Sequence, residues 1–482
     1  MTDASLPAST FCPSERRKFV LIAAVVASSM AFIDGTVVSI AIPSIRADLE
    51  TTLVGVQWIN NAYALVLSAF ILAGGAAGDR FGTVRIFQLG IVLFTLASLL
   101  CAIAFDATTL IIARALQGFG AAIMIPGSLA IISKSYPKAE RGAAIGTWAA
   151  ASAVTTAMGP IIGGIVLTLG DDNIWRAIFA INLPMGALAI WLLISKVPRD
   201  TPHSTQSPDV LGAVLVTLAL GLLAWALTGE GGEGGLPDTG RMIAYGLPAL
   251  AMFAAFLFAQ SRSAHPMMPL RLFAMPGFSA ANLLTFCIYC AFAGVLFFLP
   301  MTLVTGWGLT ELETIWSFAP LSVAIGLLSA RMGRLADRIG VRPVLTLGTA
   351  TLTTAFVGLA LGLPWQAYWA HVVPMMCLMA LGMGMIVAPL SAAVMQSVEE
   401  DDSGIASGVN NAVSRASNLI AIAAMGGLAT FGAGAAGGMS FGDPEMGATA
   451  MTAGFVAVTW GAAALGAFAT LVAWFGLKPV EN

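Results

Sequence analysis

Charge is what this sequence has least of. Asp, Glu, Lys and Arg make up only 10% of its 482 residues and nearly cancel, at a net −3, which is too little to cover a water-exposed globule of this length. A near-neutral balance also excludes a nucleic-acid binder, which needs a basic face. Histidine occurs three times, and the five cysteines (Cys12, Cys101, Cys287, Cys290, Cys377) lie scattered, mostly inside apolar stretches. CIYC at 287–290 has no second Cys or His pair nearby, so helix packing explains it better than a metal or a disulfide, and no cofactor is implied. No GxxxxGK[ST] phosphate loop is present, which leaves ATP hydrolysis without a site and gives no reason to expect an enzyme. The polar start, MTDASLPASTFCPSERRKF, runs into an apolar stretch too long for a signal-peptide core and is expected to stay attached.

Apolar length is what the sequence has in abundance. Hydrophobic residues make up 58% of the chain and the mean hydropathy is +0.88, and fourteen stretches of about 20 residues qualify as membrane spans. The expected fold is therefore an all-α integral membrane protein with both termini on one side of the bilayer. With the N-terminus placed inside, 17 of the 22 basic residues fall in cytoplasmic segments and three outside (Arg46, Arg176, Arg241), while Arg114 and Arg415 lie within spans. Such a bias sets the expected orientation and favours an even number of spans.

The chain also repeats itself. GAAGDRFGTVR at 75–85 and GRLADRIGVR at 333–342 each close one span and open the next, 258 residues apart, and ERGAAIG at 140–146 echoes DSGIASG at 402–408 at nearly the same spacing. Two six-helix units follow, at 19–196 and 263–478. Between them, 197–262 holds a polar linker and two additional helices near 209–228 and 242–260, joined by the Gly-rich GEGGEGGLPDTG. Residues 1–18 and 479–482 read as cytoplasmic tails.

At these residues the chain resembles the major facilitator superfamily, and within it the fourteen-span drug:proton antiporters, over nearly its whole length. The loop motif after span 2 is matched by Gly75, Gly78, Asp79, Arg80, Gly82 and Arg85, and its second copy by Gly333, Asp337, Arg338, Gly340 and Arg342. The span-4 motif is matched by Arg114, Gln117, Gly118 and Gly120. MGPIIGG, with Gly159, Pro160, Gly163 and Gly164, resembles the span-5 antiporter motif, WRAIFAINLP at 175–184 the outer end of span 6 in drug exporters, and Asp34, Thr36, Ala41 and Pro43 the span-1 motif of the fourteen-span subgroup. The resemblance implies two bundles latched together on the cytoplasmic side by the loop motifs, and export rather than import from the kinked span 5. It further implies a multi-pass, monomeric protein of a bacterial inner membrane, with lipophilic small molecules, protons and the lipid bilayer as its partners.

The residues carry physical readings of their own. Asp79 and Asp337, if each opens a span, can cap free backbone N–H groups and pair with the neighbouring arginines; the plainer alternative is ordinary positive-inside loop charge. A proline and three glycines within six residues bend span 5 and allow close helix packing.

Asp34 is the most demanding residue, because a carboxylate inside a span costs about 2.5–3.5 kcal/mol on insertion scales unless it has a partner or a task. Helix rise puts it about 13 Å from the outer end of span 1 and puts Arg114 about 9 Å from the outer end of span 4. Pairing between them is expected, with hydrogen bonding of Arg114 to carbonyls as the alternative. Burial and a cationic neighbour push a carboxylate's proton affinity in opposite directions, so a change of surroundings can load or release a proton. Asp34 and Arg114 are therefore the proton-coupling candidates, with Glu313 in second place. For the substrate cavity the candidates are Trp58, Asn61, Tyr63, Gln117, Met124, Trp148, Phe286, Tyr289, Asn410, Asn411 and Arg415, a set of aromatics, amides and Met suited to varied lipophiles, although each taken singly could equally be packing. A proton-coupled importer of a nutrient or metal chelate on the same fold is the alternative function.

Overall fold

A computed structural model describes residues 12–477, apart from 169–171, 199, 201–208, 228–238, 265, 400–401, 438–440 and 442–445. The described chain is nearly all helix. Its long helices are α1 (Ser14–Asp48), α2 (Leu53–Phe81), α3 (Thr83–Ala102), α4 (Ala107–Ser135), α5 (Lys138–Leu167), α6 (Asn182–Lys196), α7 (Val210–Leu227), α8 (Thr239–Arg262), α9 (Pro276–Met301), α10 (Glu311–Ile339), α11 (Val341–Gly362), α12 (Val373–Gln396), α13 (Ser403–Ala435) and α14 (Ala448–Gly476). Among the described residues thirteen of these, all but α5, carry an apolar stretch long enough to cross a bilayer. At 30 residues α5 has the length to be the fourteenth. Large apolar side chains point outward along the bundle, among them Ile194, Leu250 and Phe475, as a lipid-facing surface requires.

Small residues set the helix spacing inside the first bundle. A Cβ on Gly118 would lie 2.5 Å from the Tyr63 carbonyl oxygen, and one on Gly120 would lie 2.5 Å from the Phe94 amide nitrogen, so α4 packs at backbone contact against α2 and α3. At the face opposite the N-terminus, called here the far face, Arg176 pairs with Asp48 at 2.5 Å and donates to the Ala104 carbonyl at 2.9 Å, while Trp175 donates to the same Asp48 carboxylate at 3.0 Å. These contacts tie the start of the sixth span to the ends of α1 and α3.

The two bundles meet toward the far face. Ser44 of α1 donates to Glu311 of α10 at 3.2 Å, and Gln57 of α2 donates to the Ile422 carbonyl of α13 at 3.1 Å. Gly164 on α5 leaves room for Ile315 of α10, and Gly163 leaves room for Val37 of α1. The α7–α8 pair sits beside the α2–α13 seam. Ala64, Leu220, Ala224, Leu419 and Ala423 form one apolar cluster there, Trp58 of α2 packs against Trp225 of α7 with 5.5 Å between ring centroids and the rings tilted by 48°, and α8 covers α7 on the outside.

Candidate functional site

The candidate site is the buried polar network of the first bundle. Asp34, midway along α1, is 1% exposed, and Arg114, two turns into α4, is 0% exposed. Arg114 Nη1 lies 2.5 Å from Asp34 Oδ2 and also donates to Gln117 Oε1 at 2.6 Å. Gln117 Nε2 donates to Asp34 Oδ1 at 2.8 Å and to Ser98 Oγ at 2.9 Å. Arg114 Nε donates to the Ile59 carbonyl at 3.2 Å, so the arginine both pairs with the carboxylate and bonds to backbone. The Tyr63 ring lies beneath the guanidinium, 4.3 Å from its carbon.

Helical spacing explains the arrangement. Arg114 and Gln117 are three residues apart and share one face of α4, and Asp34 reaches both because α1 crosses α4 at their depth. Each carboxylate oxygen takes one N–H donor, which compensates a charge removed from water. One nitrogen, Arg114 Nη2, has no partner. Two members were not singled out from the sequence: Ser98 on α3, and Asn182, whose Nδ2 donates to Ser98 Oγ at 3.2 Å. Asn182 lies within the WRAIFAINLP segment, which was the one signal available for it.

Several candidates fall elsewhere. Glu313 stands in the first turn of α10, where Thr310 and Glu313 form a reciprocal capping box, so its carboxylate serves the helix start at the far face. Met124 is fully buried in the packed core of the first bundle. Trp58 turns toward α7, as described above. Trp148 donates to Ser28 Oγ at 2.9 Å, Asn410 to Thr285 Oγ1 at 2.7 Å and Asn282 Oδ1 at 3.2 Å, and Asn411 to the Ser407 carbonyl at 3.1 Å. Phe286, Tyr289 and Arg415 are half-buried, and Asn61 is fully buried.

The loop motifs correct the capping expectation. Asp79 belongs to α2 rather than to the start of α3, and its side chain lies outside the described residues. The cap on α3 is Asp200, from the linker after α6: its carboxylate accepts from Thr83 N at 2.7 Å and Val84 N at 3.0 Å. Asp337 likewise remains within α10, exposed, and α11 starts without a side-chain cap. The reason is the shortness of both turns. Each is a single glycine, Gly82 at φ +96° and Gly340 at φ +91°, a left-handed conformation that suits glycine alone, so an aspartate three residues earlier is still one turn back in the preceding helix. Arg342 stacks on Trp474, 4.4 Å from its ring centroid, while Arg85 and Arg338 are exposed and Arg80 lies over the Phe81 ring. Gly75 faces Pro126, Gly333 faces Ala388 and Gly159 faces Thr36; the side chain of Pro160 lies outside the described residues. A hollow of about 260 Å³ lined by Arg331, Arg334 and Arg338 sits at the C-terminal end of α10, away from Asp34.

The sequence profile of the Major Facilitator Superfamily matches residues 24–422. This chain belongs to that superfamily. It is 31% identical over 403 residues to the multidrug resistance protein Stp of Mycobacterium tuberculosis, covering 82% of this chain and 73% of that one. It is also 31% identical over 409 residues to the methylenomycin A resistance protein of Bacillus subtilis, covering 84% and 86%. A riboflavin transporter of Clostridioides difficile is 28% identical, with 81% and 83% covered. Among solved structures, the D-xylose-proton symporter superposes with a TM-score of 0.66 at 14% identity, over 96% of this chain and 98% of that one, which establishes the fold. The superfamily is one of transporters.

Proposed function

We propose that this protein is a proton-coupled exporter of lipophilic small molecules, working as a monomer in a bacterial inner membrane with its N-terminal face in the cytoplasm. One observation carries the reading: an ion pair with neither partner exposed, Asp34–Arg114, placed midway through the first bundle. Removing one partner of such a pair leaves an uncompensated buried charge at a cost of about 3–5 kcal/mol. Protonation of Asp34 has a comparable consequence, releasing the guanidinium and destabilising this arrangement of α1 against α4. A proton arriving at Asp34 therefore biases the packing of these helices, which is what coupling requires.

Export is supported by the two relatives named for resistance and by the glycines through which α5 packs against α1 and α10. The orientation is supported by the 17-to-3 division of basic residues. The riboflavin-transporting relative gives weight to import of a nutrient as the second reading.

The test uses everted membrane vesicles energised by an imposed pH gradient, following a fluorescent lipophilic dye. Wild-type vesicles should accumulate dye and release it on collapse of the gradient, and Asp34→Asn at equal expression should not. Full gradient-driven uptake by Asp34→Asn would remove the carboxylate from coupling, and gradient-driven dye movement in the opposite direction would support import.

A further inference from the structure

A second arginine lies well inside a membrane-length helix and, among the described residues, has no carboxylate to answer it. Arg415 stands twelve residues into the 33-residue α13, about 18 Å from its start. It is half-buried, and among the described residues it makes no ion pair. It stands three residues before Asn418 and seven before Ile422, on the face of α13 that meets α2 at Gln57, so helical register turns it toward the boundary between the two bundles. Acidic help is not at hand: Asp34 is fully engaged by Arg114 and Gln117, and Glu313 is committed to its capping box at the far face.

Unsatisfied amides lie at the same level. Gln57 of α2 touches α13 at Ile422, and one helical turn inward from each are Asn61 and Asn418. Helical register aims both toward the α2–α13 seam, where Ala64 and Leu419 already meet. Asn61 is 0% exposed, yet neither its Nδ2 nor its Oδ1 has a partner, and Asn418 Oδ1 is also buried without one. A buried amide with both ends empty is rare and unfavourable. The same holds for a mid-membrane guanidinium without an anion.

We propose that Arg415, with Asn61, forms an anion subsite in the seam between the bundles, and that the transported compounds include lipophiles bearing a single carboxylate. The carboxylate sits on the Arg415 guanidinium and takes an N–H from Asn61. The substrate class rests on the exporter reading above, whereas the binding preference does not.

The probes are three compounds of one scaffold: 4-(pyren-1-yl)butanoate, its primary amide and 4-(pyren-1-yl)butylamine. Equilibrium binding to purified protein, without any gradient, is followed by quenching of tryptophan fluorescence. The wild type should bind the carboxylate at least about tenfold more tightly than the amide, as expected for a charge-assisted contact, and should bind the amine most weakly. Arg415→Gln should erase the preference, and Arg415→Lys should keep part of it. Equal or better binding of the amide by the wild type overturns the proposal, whether or not Arg415→Gln folds, and so does a preference that survives in Arg415→Gln. Gradient-driven movement of the same probes in everted vesicles separates the two readings. A carboxylate preference without movement leaves the subsite standing and removes the exporter, while movement of all three probes without preference does the reverse.

Discussion

The two bundles carry the same turn and different interiors. Each repeat places a left-handed glycine between its second and third spans, Gly82 and Gly340, 258 residues apart. Carried forward by that spacing, Asp34, Arg114 and Gln117 become Phe292, Val372 and Met375, and the helix beginning at Val373 is lined by the buried methionines Met376, Met379 and Met383. The first bundle thus holds an ion pair and its amide where the second holds an aromatic ring, thioethers and aliphatic carbon. An apolar interior packs adaptably in many arrangements, whereas a hydrogen-bonded charge pair favours one and reports when it is broken. The duplication supplied a scaffold twice and a buried ion pair at these positions once.

Breaking the first bundle's network should have the largest effect. Arg114→Ala leaves Asp34 buried without its cation, at a cost of about 3–5 kcal/mol; a large fall in melting temperature and in yield is expected, read by fluorescence-detected size exclusion. Asp34→Asn/Arg114→Met removes both charges of the first bundle together, leaving it uncharged at these positions like the second. It should recover most of that stability while remaining inactive in gradient-driven transport. If the double variant is no more stable than Arg114→Ala alone, the cost lies in lost packing of the arginine rather than in the stranded charge.

The contact between bundles comes next. Gly164→Leu pushes a side chain into Ile315, so the far-face closure should open; a cysteine placed at Ser44 should then react faster with a membrane-impermeant maleimide added from the far side. Unchanged reactivity would mean that α5 yields without separating the halves.

The loop turns give the smallest effect and the finest comparison. Asp200→Ala removes both acceptors from the start of α3 and should cost about 1 kcal/mol, in the range of other lost helix caps. Asp337→Asn, exposed and not acting as a cap, should leave the melting temperature unchanged. Equal destabilisation by the two would mean that the second turn holds a contact absent from this conformation. Should Asp337→Asn slow transport at unchanged stability, the latch role survives in another state of the cycle.

Much of this was legible from the order of residues alone. Apolar runs of bilayer length fix the spans, because a backbone in hydrocarbon must satisfy itself as helix, and the repeated turn fixes the duplication. The meeting of Asp34 with Arg114 followed from depth along two helices, since neither charge is tolerable alone. Other assignments needed the folded chain. Asp200 lies 117 residues from the amides it caps, and nothing local marks it, because a carboxylate can reach a helix end from any segment the fold brings near. Trp58 and Met124 show the same limit: a residue type suits a cavity or a core equally, and only the neighbouring helix decides which. Glu313 was read by its depth near a span, but the preceding Thr310 determined its task. The sequence determined where helices run and which charges must find partners; tertiary structure alone decided which partners they found, because helix faces are chosen by packing between segments far apart in the chain.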